Sequence, residues 1–233
     1  MTLRTLPITD QLSWLSAHPQ QATAACPRLP SGYDVYLKLL PPLGIDPSVP
    51  IAAYSFATRT SADLKARAAF WDTHHIQRGQ PDPTRLQPIT YREVSAQLGL
   101  AYEATLDSAA IRRHYGEWPP HLGSSAALEE AFIRQLVHLL GPQQSAYLYG
   151  SADEGNGVWD AEGFRQDWLA QGHVADLVTV YQQQGQLPTY CFARDHSWCL
   201  YQGEVEWLAL GCASVLAHAF LAEGTLEAFR LGA

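Results

Sequence analysis

Apolar residues recur with a helical period at several places in the first 140 residues. Within residues 31–40, four of them follow the i, i+3, i+4, i+7 spacing of one helix face: Tyr33, Tyr36, Leu37 and Leu40. The same spacing, with capping or turn residues at the ends, predicts further helices over residues 8–18, 61–71, 90–98, 107–114 and 124–140. The pattern therefore predicts a helical N-terminal half.

Short apolar runs separated by turn residues dominate the C-terminal part. Strands are predicted over residues 145–149, 189–192, 197–202 and 206–210, and one earlier strand over residues 49–56. A tight turn is predicted at residues 203–204, a mostly helical segment over residues 162–184 and a closing helix over residues 213–222. Because the strands cluster late and are joined by tight turns, a parallel Rossmann-like sheet is disfavoured. The sequence predicts an α+β fold, with an N-terminal helical half and a C-terminal antiparallel sheet packed by helices.

The chain length of 233 residues allows one large domain or two small ones. A polar loop with three prolines, over residues 75–88, is the place where a boundary would fall. We therefore predict a single α+β domain over residues 1–233, with a subdivision near residues 75–88 as the alternative.

The net charge of the chain indicates which classes of binding partner are expected. The chain carries 23 acidic and 15 basic residues, which gives a formal net charge of −8. A field of this sign repels phosphate backbones and anionic lipids, so we expect no nucleic-acid and no membrane partner. This charge would suit a basic protein partner, although solubility alone also explains it.

The four cysteines are too few for a disulfide framework, and no signal peptide or membrane span is readable, so we expect a cytoplasmic location.

Motifs of several common enzyme classes are missing from the sequence. Neither phosphate-binding pattern, G-x-x-x-x-G-K-[ST] or G-x-G-x-x-G, occurs, and the nucleophile elbow G-x-S-x-G is also absent. These absences argue against common nucleotide enzymes and α/β-hydrolases. No cofactor is predicted, and enzymatic activity is left open.

Reactive side chains are densest in one C-terminal segment, formed by Cys191, Arg194, Asp195, His196, Ser197 and Cys199. If residues 194–196 form a hairpin loop, Cys191 and Cys199 lie on adjacent strands and could approach each other, with His196 at the tip as an acid or base. The catalytic candidates are then Cys191, Asp195 and His196. The alternative is a polar turn, in which Asp195 supports the backbone and the cysteines are small core residues. The spacing matches no zinc motif, so no metal site is predicted.

Seven tryptophans are many for a chain of this length. Tryptophan is rarely fully buried and is enriched at protein interfaces. Trp118 and Trp159 lie on predicted loops, where binding residues are common, and Trp198 lies within the reactive segment. We predict these three as binding residues; the alternative is that tryptophans fill the core of a protein with few Met and Phe.

The order of these segments resembles a family of bacterial cytosolic proteins, common in actinobacteria, to which no activity has been assigned. The matching segments are residues 29–33 (Leu-Pro-Ser-Gly-Tyr) with Tyr36 and Leu40, residues 90–94, residues 118–120 (Trp-Pro-Pro) and residues 192–199. Residues 155–159 echo a glycine-rich, Trp-containing strand of that family, and residues 163–186 depart from its pattern. The resemblance implies architecture rather than chemistry. Residues 29–40 are also similar to the opening of SUKH-type toxin-immunity proteins, which implies an immunity-like role.

Two functional hypotheses follow from the sequence. The first is a non-catalytic protein-binding protein that recognises a basic partner through an acidic, aromatic-bearing surface. The second is a small-molecule enzyme or ligand-binding protein built around the turn between Cys191 and Cys199, with His196 as acid or base. A convergence of the Cys191 and His196 side chains in a concave pocket would favour the second hypothesis.

Overall fold

The computed structural model describes residues 3–8, 12–16, 28–56, 60–203, 206–224 and 226–232. The chain folds into two compact units, of which the first contains Met1–Leu40 and Phe132–Ala233 and the second contains Pro41–Ala131. The loop at residues 75–88, which the sequence offers as an alternative boundary beside a single domain, lies inside the second unit. The chain passes between the units at residues 40–41 and 131–132 instead.

Strands and helices are mixed along the described chain. The strands are β1 Arg4–Leu6, β2 Val35–Leu39, β3 Leu43–Ile45, β4 Gln87–Ile89, β5 Leu122–Gly123, β6 Ser145–Gly150, β7 Val158–Trp159, β8 Arg165–Gln166, β9 Trp168–His173, β10 Tyr190–Ala193, β11 Trp198–Tyr201, β12 Leu208–Cys212 and β13 Ala228–Arg230. The helices are α1 Ser13–Ser16, α2 Ser61–His74, α3 Tyr91–Leu98, α4 Ser108–Tyr115, α5 Ala126–Leu140, α6 Asp176–Gln184 and α7 Ser214–Glu223. The α+β class is confirmed, whereas a helical N-terminal half is not, because β1 to β4 lie among the first helices. Within the described ranges, no helix has the length and apolar character needed to cross a membrane.

The first unit is built on an eight-stranded antiparallel sheet. Its strand order is β1-β9-β6-β10-β11-β12-β2-β13. The strands predicted near the C-terminus, β10 to β12, lie next to one another in this sheet. They are flanked by β6 and β2, which come from much earlier in the chain. The predicted C-terminal antiparallel sheet is therefore confirmed, and strands from the N-terminal part extend it.

Helices α5, α6 and α7 cover one face of this sheet. Their buried side chains form one cluster with alternate residues of the strands, among them Leu37, Leu148, Leu200 and Leu210. Alternate residues of a strand project to opposite faces, so each strand contributes every second side chain to this core. Burying one such leucine contributes roughly 1.5–3 kcal/mol of transfer free energy. The sheet is thus packed by helices, as predicted.

The opposite face of the sheet carries a smaller cluster that is rich in aromatic residues. Its buried members are Leu29, Tyr36, Phe192, Cys199, Tyr201 and Ala209. The rings contact one another along this face, with centroids 5.3 Å apart for Tyr147 and Phe192 and 5.1 Å apart for Phe192 and Trp14. We call this the aromatic face; it extends to the turn between β10 and β11.

The helix predicted over residues 31–40 is wrong, because β2 forms there instead. All five residues of β2 are buried, since both faces of the strand are covered. A strand that is buried on both faces lacks polar alternation, and its apolar run then also fits a helical period. The polar member, Lys38, places its ammonium nitrogen 5.3 Å from the ring centroid of Trp207.

Other element predictions need smaller corrections. Residues 162–184 are helical only in their second half, where α6 lies, because β8 and β9 occupy the first half. The strand predicted over residues 49–56 is wrong, and a 3₁₀ helix covers Ile51–Ala53. The predicted turn at residues 203–204 and the ends of the helix predicted at residues 8–18 lie partly outside the described residues.

The second unit combines a three-stranded sheet, ordered β4-β3-β5, with helices α2, α3 and α4. Helix α3 begins with a capping box, in which Thr90 and Glu93 accept hydrogen bonds from each other's backbone N–H groups. It ends at Gly99, which adopts a left-handed conformation (φ 65°). Helix α2 has a capping box too, with Thr60 as the cap.

Candidate functional site

The reactive segment forms a short polar turn between β10 and β11. A side-chain and a backbone hydrogen bond from Ser197 hold the pKa of Asp195 below its ordinary value. The backbone N–H of Ser197 donates to Oδ1 of Asp195 at 3.1 Å. His196 has a left-handed backbone (φ 60°), and its N–H donates to the carbonyl of Ala193 at 2.9 Å. Residues 194–197 are exposed.

The two cysteines that flank the turn point to opposite faces of the sheet. In the β10–β11 register, Cys191 is paired with Leu200 and Cys199 with Phe192. Cys191 lies in the helix-covered core, whereas Cys199 lies in the aromatic cluster. The approach of the two thiols considered from the sequence does not occur, because the register places neighbouring positions on alternate faces.

Cys191 and His196 are not brought together either. Cys191 is 1% exposed, and burial raises the pKa of its thiol far above the ordinary range. The imidazole of His196 stacks on Trp14 with a centroid distance of 4.2 Å, on the aromatic side of the sheet. Among the described residues, no group of three or more His, Cys, Asp or Glu side chains is placed to hold a metal ion.

The three tryptophans predicted as binding residues have different surroundings. Trp198 is 1% exposed, and its indole N–H donates to Oε1 of Gln144 at 2.8 Å, so it is not available to a partner in this structure. Trp118 is half-buried and donates to the carbonyl of Leu122 at 2.7 Å. Trp159, in contrast, is 66% exposed.

Trp159 belongs to an exposed β-hairpin. Strands β7 and β8 pair antiparallel, with Trp159 opposite Arg165. The guanidinium carbon of Arg165 lies 5.0 Å from the centroid of the Trp159 ring. Phe164, next to Arg165, is also 66% exposed. We call residues 158–166 the acidic hairpin, because Asp160 and Glu162 lie between its two exposed rings in sequence.

Asp160 fixes the loop of the acidic hairpin. Its Oδ1 accepts hydrogen bonds from the backbone N–H of Phe164 at 2.8 Å and of Glu162 at 3.1 Å. Its Oδ2 accepts from the side-chain amide of Gln166 at 2.9 Å. The guanidinium of Arg165 also donates to the carbonyl of Gly155. The two exposed rings are therefore presented on a loop that is held by several hydrogen bonds.

Acidic side chains dominate the sequence around these rings. Between residues 150 and 167 the chain has five acidic residues and one basic residue, Arg165. Glu154 pairs with Arg28 at 3.4 Å, and Asp167 accepts a hydrogen bond from the hydroxyl of Tyr149 at 2.7 Å. Asp153 and Glu162 are exposed. The surface around the two rings therefore carries negative charge.

Phe164 was not among the residues predicted from the sequence. The segment was assigned to a helix, partly because Phe164 and Trp168 have helical spacing. Asp160 and Gly163, which are typical turn residues between two short apolar runs, are the signal that could have revealed the hairpin.

A second feature is a cleft beside the turn between β10 and β11, which we call the turn cleft. It has a volume of about 370 Å³, and its lining includes Trp14, Tyr33, Asp34 and His196. The Tyr33 ring lies against the backbone of Gly211, where an added Cβ would be 2.3 Å from a ring carbon. Glycine at this position therefore allows the ring to form part of the wall.

Replacing Asp160 with alanine is expected to loosen the acidic hairpin without unfolding the first unit. The variant lacks the carboxylate that accepts from the N–H groups of Glu162 and Phe164. We expect amide hydrogen exchange at Phe164 to become at least about tenfold faster, while the amides of β6 and β10 keep their protection. Unchanged exchange at Phe164 would show that the hairpin is held in another way.

The same carboxylate predicts how the hairpin responds to pH. Hydrogen bonds, first from the N–H of Phe164, hold the pKa of Asp160 below its ordinary value of 3.8. A carboxylate whose pKa is lowered by folding stabilises the folded form above its unfolded pKa, and this stabilisation is lost as the pH falls through the folded pKa. We therefore expect titration of Asp160 to leave the amide exchange rate of Phe164 unchanged near neutral pH. Below pH 3.8, protonation of Asp160 is expected to increase that rate.

Comparison of the chain with protein-family models, curated proteins and solved structures gave no match.

Proposed function

We propose that this is a non-catalytic protein-binding protein that recognises a basic partner protein through the acidic hairpin. The observation that carries the proposal is the exposure of Trp159 and Phe164, each 66%, on a loop fixed by hydrogen bonds.

Exposed apolar side chains are concentrated in this hairpin. Among the described residues, the large hydrophobic side chains that are exposed are Ile8, Leu64, Val158, Trp159, Phe164, Val215 and Leu221. Three of these seven lie within residues 158–164. Clustered exposed apolar surface with a polar rim is typical of interaction sites, and tryptophan is enriched among the residues that dominate binding energy.

The fixed loop lowers the cost of binding. A flexible segment loses conformational freedom when it docks, whereas a loop that is already ordered loses less. The hydrogen bonds of Asp160 and the contact between Arg165 and Trp159 support such an ordered loop. They favour partner recognition over an accidental exposure of two rings.

The charge around the rings supports a basic partner. The acidic residues of this segment and the net charge of −8 would attract a basic surface and speed its association. Binding of this kind weakens as salt screens the charges, with a Debye length of about 10 Å at 0.1 M salt.

A more specific form of the proposal is an immunity-like role in the cytoplasm, as the sequence predicts. It rests on Leu29 and Pro30 and on the tyrosines that follow them. The predicted amphipathic helix, which was also part of the resemblance, is strand β2 in the structure. Recognition of a basic toxin would then be the function of the acidic hairpin.

The proposal is tested by capturing partners from a lysate of the organism that encodes the protein. The tagged wild type is compared with the double variant Trp159→Ala/Phe164→Ala, at about 50 mM and about 500 mM salt. We expect the wild type to retain one basic protein in stoichiometric amount at low salt, to lose most of it at high salt, and the double variant to retain at least tenfold less, because truncation of such anchors costs about 2 kcal/mol or more.

A matched control removes exposed apolar surface elsewhere in the first unit. Val215 and Leu221 on α7 are 85% and 45% exposed, and Val215→Ser/Leu221→Ser is expected to capture as much partner as the wild type. Equal capture by the wild type and the hairpin variant would refute recognition through the hairpin.

The second function considered from the sequence, ligand binding at the turn between Cys191 and Cys199, is favoured by one observation. The turn cleft lies beside this turn and is lined by His196. Cys191 faces away from it, so binding rather than thiol chemistry is the form of this function that the geometry supports.

A further inference from the structure

The turn cleft combines aromatic walls with one carboxylate. Trp14, Tyr33 and His196 contribute rings, and Asp34 contributes the acidic group. No lysine or arginine is among the described residues that line the cleft. The faces of aromatic rings carry negative partial charge, so this lining attracts a cation.

Asp34 also disfavours the binding of an anion in the turn cleft. Its Oδ2 accepts hydrogen bonds from the backbone N–H of Ser214 at 3.1 Å and from the Ser214 hydroxyl at 3.3 Å. The carboxylate thus occupies the position at the start of α7 where a free anion would otherwise bind. Since no described residue hydrogen-bonds to Oδ1, one carboxylate oxygen remains available to a ligand.

The aromatic walls are held in place by their neighbours. The Trp14 ring is stacked with His196 at an interplanar angle of 21° and contacts Phe192 edge-on at 71°. Tyr33 packs on the bare backbone of Gly211. A preformed cleft with a few fixed polar groups is typical of small-ligand sites.

We propose that the turn cleft binds an alkylammonium group, supplied by a free amine or by a lysine side chain of a partner. A guanidinium makes its strongest contacts with both oxygens of a carboxylate, but Oδ2 of Asp34 is engaged by α7. An ammonium is a compact charge that can pair with one oxygen, while its alkyl groups pack against aromatic rings. This site goes beyond the proposed function, and choline binding to it does not depend on the acidic hairpin; only the assignment of the ammonium group to a lysine of the partner rests on the proposed function.

The test uses two probes of nearly equal shape, choline and 3,3-dimethylbutan-1-ol, in which carbon replaces the charged nitrogen. Each is titrated into the full-length protein, and binding is followed by calorimetry and by the NMR signals of the tryptophan indole N–H groups. We expect saturable binding of choline that is about tenfold tighter than that of the neutral analogue, with a shift of the Trp14 signal. Equal affinity for the two probes would overturn the proposal.

Variants connect the binding to the residues of the cleft. Asp34→Asn removes the charge but keeps an oxygen that can accept from Ser214, so the start of α7 is retained. We expect about tenfold weaker choline binding in Asp34→Asn and in Trp14→Ala. Trp159→Ala, in the acidic hairpin, is expected to bind choline like the wild type, which separates this site from the proposed function. Choline affinity that is unchanged in Asp34→Asn would contradict an ammonium site at this carboxylate.

The source of the ammonium group is identified by competition. Saturating choline that displaces the captured partner assigns the cleft to a lysine of that partner. Choline that binds without displacing the partner assigns it to a free amine. Both results follow from an alkylammonium site, whereas failure of choline to bind at all contradicts it.

Discussion

Replacing Trp198 with alanine is expected to lower the free energy of unfolding by about 3–5 kcal/mol. Trp198 is among the largest fully buried side chains and belongs to the helix-covered core. Its removal leaves a cavity at the start of β11 and deprives Oε1 of Gln144 of its 2.8 Å hydrogen-bond donor. Both losses act on the folded state, because an unfolded chain has neither the cavity nor this hydrogen bond.

Guanidinium-induced unfolding, followed by circular dichroism, measures this loss. Trp198→Phe keeps most of the packing and loses the hydrogen bond, so we expect a smaller loss, nearer about 1–3 kcal/mol. Trp159→Ala, which truncates an exposed ring, is expected to stay within about 0.5 kcal/mol of the wild type. A small effect of Trp198→Ala would contradict the burial of this side chain in the core.

Replacing Gly150 with alanine is expected to destabilise the protein by about 1–3 kcal/mol and to disturb the acidic hairpin. A Cβ at this position would lie 2.0 Å from Nε1 of Trp168 and 2.3 Å from the carbonyl oxygen of Asn156. Trp168 donates a 2.9 Å hydrogen bond to that same carbonyl, just before the hairpin. The added methyl group therefore forces apart two groups that hold the base of the hairpin.

Two measurements check the prediction for Gly150. Unfolding experiments give the loss of stability, and hydrogen exchange at residues 158–166 reports the disturbance of the hairpin. Gly232→Ala serves as the control, because an added Cβ there has no neighbour within 4 Å. If Gly150→Ala were as stable as the control, the close packing of Gly150, Asn156 and Trp168 would be disproved.

The parts of the fold that were predicted correctly are those whose secondary structure is indicated by residues within or next to the element in sequence. Helix α3 has a capping residue at one end and glycine at the other, and β10 to β12 are short apolar runs with turns between them. Strand β2 was missed because its partners, β12 and β13, lie far away in sequence. In addition, both faces of β2 are covered, one by the helix-covered core and the other by the aromatic cluster, which removed the polar alternation by which a strand is recognised.

The candidate site shows the same contrast between features with a local sequence signal and features that depend on tertiary contacts. The exposure of Trp159 could be predicted, because this residue follows a glycine-rich stretch, which indicates an exposed loop. Phe164 was missed because its hairpin depends on the hydrogen bonds of Asp160, which no periodicity reveals. The separation of Cys191 from Cys199 depends on strand register, and a shift by one residue would have reversed the face of either side chain.

The most direct test of the proposed function is site-specific photo-cross-linking at the acidic hairpin. A benzophenone amino acid is placed at position 164 or, as a control, at position 215, which is 85% exposed on α7 of the same unit. Each protein is irradiated in a lysate of the organism that encodes it. Recognition of a basic partner through the hairpin predicts one cross-linked protein from position 164 and none from position 215. That product should disappear on addition of excess unlabelled wild type, but not of Trp159→Ala/Phe164→Ala. No cross-link at position 164, or one that both competitors abolish equally, would contradict it.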